Sequence, residues 1–172
     1  MQPMCKTALI LGRFQPFHNG HLFLVKKALE EAEKVKIVIG TAEKHHEKDD
    51  PFTAEEREEM IRLALKMEGI KNFELFKLPD TDDDKKYVKY VRKNVGNYDI
   101  VFAWESALNI VLFDEAGDLV VTGDKFEDID ATDIRQMMAK GAGWEKLVPK
   151  PVADYIKKHE LDKRVKGLQK HK

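Results

Sequence analysis

Five short apolar runs, each followed by a longer amphipathic or polar stretch, set the pattern of this chain. The runs at 7–11, 35–39, 73–78, 100–103 and 119–122 are too short for helices and rich in β-branched or large apolar residues, so each predicts a strand. Between the first two, Leu22, Val25, Ala28, Leu29 and Ala32 fall on one helical face, predicting a helix over 20–32. Thr53 followed by Glu56 forms a capping box for the next helix, whose buried side is Met60, Ile61, Ala64 and Leu65. A helix is expected over about 85–95, and another capped by Ser106 and running through Phe113. Thr132 starts a helix that ends before Gly141 and Gly143. A helical turn over 144–148 follows, and Pro151 opens a last helix at its favoured first position. From Lys157 onward the chain is strongly charged and is expected to be an exposed, fraying tail.

Strands alternating with helices predict an α/β fold, a doubly wound parallel sheet with helices on both faces. Ligands of such sheets bind beyond the carboxyl ends of the strands. The turns after all five strands should therefore line one edge. The expected organisation is a single domain over 1–172, with its core at about 7–156 and the charged tail at 157–172.

Composition narrows the function. The chain has 172 residues, with 30 Lys and Arg against 31 Asp and Glu, a formal net charge of −1. That balance argues against a broad nucleic-acid face. No run approaches the ~20 apolar residues of a membrane span, and the start lacks a signal-peptide pattern. Cys5 is the single cysteine, so a reducing, cytoplasmic setting is expected.

The chemistry concentrates in Leu9 to Leu22, reading Leu-Ile-Leu-Gly-Arg-Phe-Gln-Pro-Phe-His-Asn-Gly-His-Leu. His18, Gly20 and His21 sit at a strand-to-helix junction, with Gly12, Arg13 and Phe14 just upstream. Free N–H groups and partial positive charge at a helix start attract phosphate, and two imidazoles with a guanidinium strengthen the attraction. The bland alternative is a pair of turn histidines capping a helix. His45 and His46 have no third ligand at suitable spacing and read as loop histidines. Asp82 to Asp84 read as a turn that caps the next helix. Trp104 suits either a base-stacking role or a core or subunit contact.

Gly12-Arg13-Phe14-Gln15-Pro16-Phe17-His18-Asn19-Gly20-His21 resembles the His-x-Gly-His motif of the nucleotidyltransferase superfamily, and in its longer form the archaeal type of nicotinamide-nucleotide adenylyltransferase. Three further stretches are similar to that family. These are Ile39-Gly40-Thr41-Ala42 with Pro51-Phe52-Thr53-Ala54-Glu55-Glu56-Arg57, then Ile129-Asp130-Ala131-Thr132-Asp133-Ile134-Arg135, and finally Trp144 to Val152. The resemblance implies a Rossmann-like nucleotidyltransferase fold, and a reaction joining ATP to nicotinamide mononucleotide to give NAD and pyrophosphate. It implies that His18 and His21 contact the ATP phosphates, with His21 stabilising the transition state, and that Arg135 holds the β- and γ-phosphates. Arg13 and Arg57 would bind phosphate oxygens of the two substrates. Gly12, Phe14, Gly20, Gly123, Asp124, Ile129, Ala131 and Thr132 would complete the ATP side. Thr41, Tyr87, Trp104 and Glu105 would complete the acceptor side. It further implies Mg²⁺ held mainly by the ATP phosphates, and a homo-oligomer such as a hexamer.

Two stretches depart from the family. Its Trp-Val-x-x-Val segment is here Tyr87-Val88-Lys89-Tyr90-Val91, which keeps an aromatic face but leaves room for another base. Its Ser/Thr-Gly-Asn after the fourth strand is here Ala103-Trp104-Glu105. A carboxylate beside a phosphate would repel it, so Glu105 is expected near a ribose. The sequence is also compatible with the same transfer to flavin mononucleotide or phosphopantetheine, with CTP as donor, or with a non-catalytic module that binds NAD or ATP. The chain lacks a Gly-x-x-x-x-Gly-Lys loop and is too short for a class I aminoacyl-tRNA synthetase.

Overall fold

The computed structural model describes residues 2–103, 106–123 and 129–170. Five parallel strands form one sheet: β1 Cys5–Gly12, β2 Ala32–Ile39, β3 Phe73–Lys77, β4 Ile100–Phe102 and β5 Val120–Val121, in the order β3-β2-β1-β4-β5. The helices are α1 Asn19–Glu31, α2 Ala54–Met67, α3 Asp84–Val95, α4 Ala107–Glu115, α5 Ala131–Lys140, α6 Lys150–Lys158 and α7 Leu161–Lys170, with a 3₁₀ turn at Trp144–Leu147. The expected doubly wound α/β architecture is therefore present. No helix among the described residues is long and apolar enough to cross a membrane.

The central strands are apolar on both faces because both faces are covered. Ala8 and Ile10 of β1 with Val35, Ile37 and Ile39 of β2 pack under α1, α2, α5, α6 and α7. Leu9 and Val38, with alternate side-chain direction, pack under α3 and α4 beside Val101. Lys36 points to this second face and is buried, its ammonium donating to the carbonyls of Val95 and Asn97 at the end of α3.

The winding reverses at β1, which pairs with β2 on one side and β4 on the other. This is the place where an open parallel sheet leaves a crevice at its carboxyl edge.

Several boundaries differ from the sequence reading for identifiable reasons. The first helix is capped by His18 rather than opened at Gly20. Asp130 caps α5, accepting the Thr132 N–H at 2.6 Å, so that helix begins one residue before Thr132. The expected exposed tail is corrected. Leu161 and Val165, one helical turn apart within the charged stretch, are buried, and they dock α7 on the core.

Candidate active site

A cavity of about 570 Å³ opens at the carboxyl edge of the sheet. Its wall is built from the ends of β1, β2 and β4, the 80–87 stretch after β3, and the N-terminal parts of α4 and α5.

The turn after β1 is shaped by close packing. A Cβ on Gly12 would lie 2.9 Å from the Phe14 ring, so only glycine lets that ring fold back over the strand end. Phe14 itself has φ +56°, and Thr41, just past the end of β2, has φ +50°. Such left-handed residues persist only where neighbours hold them. Arg57 supplies that hold. It is 0% exposed, and it donates to the carbonyls of Thr53 at 3.2 Å, Arg13 at 2.9 Å, Gly40 at 2.8 Å and Thr41 at 3.2 Å. Four of its five donors are thus committed to backbone. Burial lowers its pKa, with Asp50 and Glu55 acting in the opposite direction. The expectation that Arg57 binds a substrate phosphate is corrected by this geometry: it lies behind the cavity wall and joins the two loops that form it.

The two histidines make a reciprocal cap at the start of α1. His18 Nδ1 accepts the Gly20 N–H at 3.1 Å, and His21 Nδ1 accepts the His18 N–H at 3.1 Å. An Nδ1 that accepts a backbone N–H carries no proton, so the N–H of each neutral ring is at Nε2. Their planes stack with centroids 3.6 Å apart, and Phe14 abuts His21 edge-on at 4.8 Å. His21 lines the cavity; His18 is 0% exposed and does not line it, so the expected direct contact of His18 with the phosphates is corrected to a place beneath His21.

Arg135 comes from the second turn of α5. Its side chain is 3% exposed, with NH1 donating to Gln15 O at 2.8 Å and NH2 to Thr132 Oγ1 at 3.2 Å. Its buried Nε has no hydrogen-bond partner among the described residues. Burial lowers its pKa; Asp49 raises it and Arg13 lowers it further. Arg13 reaches the cavity from the end of β1 and donates to Asp50 at 3.2 and 3.4 Å.

Thus Gly12, Arg13, Phe14, His21, Ile129, Ala131, Thr132 and Arg135 meet at the cavity, and Thr41 and Tyr87 line it as well. Gly20 and Gly123 do not line it. Trp104, Glu105 and Asp124 lie outside the described residues. Sequence reasoning missed Gln15, whose buried side chain exchanges two hydrogen bonds with the Phe52 backbone, at 3.1 and 3.0 Å. It also missed Asp49 and Asp50, which meet Arg135 and Arg13; the signal was an acidic pair just ahead of the capping box.

The charge of the cavity is divided. Arg13, His21 and Arg135 gather where α1 and α5 begin. Asp80, Asp84 and Tyr87 lie where the chain enters α3, on the other face of the sheet. Thr41 Oγ1 donates to Asp80 at 2.9 Å. Burial, with Asp80 close by, pushes the Tyr87 phenol up to about 12, so its ring stays neutral. Tyr87 packs edge-on against Phe113 at 6.2 Å.

The cytidylyltransferase-like family model matches residues 9–168. A nicotinamide-nucleotide adenylyltransferase of Thermococcus onnurineus is 39% identical over 168 residues, covering 96% of this chain and 89% of the relative. One of Thermococcus sibiricus is 42% identical over 93% of this chain and 88% of its own length. One of Ignicoccus hospitalis is 40% identical over 95% and 98%. A bifunctional NMN adenylyltransferase/ADP ribose pyrophosphatase from Francisella tularensis superimposes with a TM-score of 0.84 at 24% identity. That likeness concerns the fold; it covers 95% of this chain and 53% of the longer one.

Proposed function

This chain belongs to the nicotinamide-nucleotide adenylyltransferases of the cytidylyltransferase-like family, and we propose that it joins ATP to nicotinamide mononucleotide, giving NAD and pyrophosphate. The observation that carries the choice of acceptor is the divided charge of the cavity. Nicotinamide mononucleotide has an anionic phosphate at one end and a cationic ring at the other. The Arg13, His21 and Arg135 end suits the phosphates, and the Tyr87, Asp80 and Asp84 end suits the ring.

An acceptor phosphate oxygen forms a bond to the α-phosphorus of ATP while the bond from that phosphorus to the bridging oxygen of the β-phosphate breaks. A phosphate monoester has its second pKa at about 6, so the nucleophile is already largely dianionic at neutral pH and needs no general base. The protein's work is placement and charge stabilisation. His21 donates through Nε2 to phosphate oxygens. Arg135 stands in the cavity wall and brings its positive charge to the outer phosphates, with its Nε not taken by any described residue, and Arg13 stands on the other side of the same loop. His18 keeps His21 in register from beneath. No group of three or more His, Cys, Asp or Glu side chains among the described residues is placed to hold a metal ion. Mg²⁺ would be carried mainly by ATP phosphates and water, where it would neutralise charge on the leaving pyrophosphate.

An acceptor panel tests this reading. With Mg-ATP, the protein is expected to turn over nicotinamide mononucleotide in preference to nicotinic acid mononucleotide, flavin mononucleotide and phosphopantetheine, products being identified by mass. Turnover of another acceptor alone would keep the adenylyl transfer and overturn the acceptor. Tyr87→Ala is expected to weaken acceptor binding by about 1 kcal/mol without changing ATP binding, and Tyr87→Trp to tighten it.

We place the protein in the cytoplasm as a homo-oligomer, a hexamer by the family resemblance. The supporting feature is α4, which carries Leu108, Ile110, Val111, Leu112 and Phe113 around most of its circumference. Phe113 is buried, yet Val111 is 49% exposed and neighbouring Leu119 61%. A helix apolar on all sides calls for cover on all sides. Val111→Glu is expected to lower the mass measured by light scattering in solution; an unchanged mass would contradict this use of α4.

A further inference from the structure

We propose that Arg164, in the C-terminal helix, is a positioning residue for the phosphate end of the cavity, acting through residues 48–51 of the loop between β2 and α2. The proposal rests on the reading above only in requiring that the cavity take the phosphates of ATP.

The four residues 48–51 are held from two sides. On the inner side, Asp50, 4% exposed, accepts from Arg13 NH1 at 3.2 and 3.4 Å, and Asp49 Oδ1 lies 3.5 Å from Arg135 NH2. On the outer side, α7 holds both terminal carbonyls. Arg164 NH1 donates to Pro51 O at 3.1 Å, and Gln169 Nε2 donates to Lys48 O at 2.9 Å. Arg164 also grips Glu56 with two parallel bonds of 2.7 and 2.9 Å. Glu56 is the capping-box residue of α2 and accepts the Thr53 N–H at 2.9 Å. Burial raises the Glu56 pKa, but the bonds from Arg164 and from the Thr53 backbone outweigh it and hold the carboxyl below its ordinary range.

Pro51 is buried and the next residue, Phe52, is held by Gln15, but Lys48 and Asp49 are exposed and the segment brings no other apolar side chain, so the placement of 48–50 depends on these hydrogen bonds. The backbone bonds His46 N–H to Pro51 O at 3.4 Å and Glu47 N–H to Asp50 O at 3.2 Å brace it internally but do not fix it to the body of the protein. Arg164 and Gln169 do. Arg13 is a long side chain, half-exposed, that must stand beside another cation, and Asp50 orients it. The path from α7 to the cavity is therefore Arg164, Pro51, Asp50, Arg13. The docking of α7 itself is apolar, through Leu161 and Val165, so its attachment does not depend on the polar face.

The test measures ATP and inorganic pyrophosphate affinity by calorimetry, KM and kcat in parallel, and folding by circular dichroism. It uses the full chain and the variants Arg164→Gln, Arg164→Lys, Gln169→Ala, Asp50→Asn, and Arg164→Gln with Asp50→Asn. Arg164→Gln is expected to raise Kd and KM for ATP about tenfold with kcat within about twofold, and Gln169→Ala to raise them about threefold. Arg164→Lys should recover part of the loss, since an ammonium pairs with Glu56 but lacks the fork. The double variant should be no weaker than Asp50→Asn alone, because both changes break the same path. Additive losses, unchanged affinity in folded Arg164→Gln, or tighter binding would each overturn the proposal. If Arg164→Gln fails to fold, Gln169→Ala decides: weaker binding supports the path and unchanged binding overturns it. A wild type that binds neither ATP nor pyrophosphate would overturn the nucleotide reading, and this proposal with it.

Discussion

His21→Ala is expected to lower kcat by about 10²–10³ while leaving the fold intact, the scale of losing one preorganised charge-stabilising donor. The preorganisation is visible in the backbone. The His18 N–H occupies His21 Nδ1, so the proton must sit on Nε2, and Phe14 and His18 pack against two sides of the ring. No rearrangement is needed as charge builds on the transferring phosphate. His21→Asn offers a donor of different reach and should recover only part of the loss. KM for ATP is expected to change far less than kcat, because the arginines remain. Wild-type turnover in His21→Ala would remove the imidazole from the chemistry.

Arg57→Met should destabilise the protein by about 3–5 kcal/mol, on the order of 10 °C in Tm. The methionine fills much of the volume but leaves the carbonyls of Thr53, Arg13, Gly40 and Thr41 without their buried donor. It also releases the turns at Phe14 and Thr41, whose left-handed backbones need support. Arg57→Lys should lose about half as much, since an ammonium has donors but no fixed fork. Thermal melts distinguish this from a phosphate-binding role. An unchanged Tm together with a raised acceptor KM would return Arg57 to the substrate side.

Much of this architecture is legible in the chain because local signals agree with global ones. The strand runs, the Thr53 and Glu56 box, and the Ser106 cap on α4 all lie within a few residues of what they control. The His18 to His21 turn is legible for the same reason, since its partners are each other. Arg57 is different. Three of its carbonyl partners, at 13, 40 and 41, lie far away in sequence, and a guanidinium beside a phosphate-binding pattern reads as a ligand until the fold is known. The tail is different again. Leu161 and Val165 are the only sizeable apolar pair among many charges in its first turns, and their contribution depends on a docking site built by distant elements. Asp49 and Asp50 belong to a polar loop whose meaning comes only from the arginines it reaches.

The most direct test follows the phosphorus. The protein is incubated with nicotinamide mononucleotide, Mg²⁺ and ATP labelled either at the α- or at the γ-phosphorus, and the products are separated. Adenylyl transfer puts the α label in NAD and the γ label in pyrophosphate, in equal amounts. Recovery of the γ label as inorganic phosphate, or of the α label in ADP or AMP without dinucleotide, would contradict adenylyl transfer.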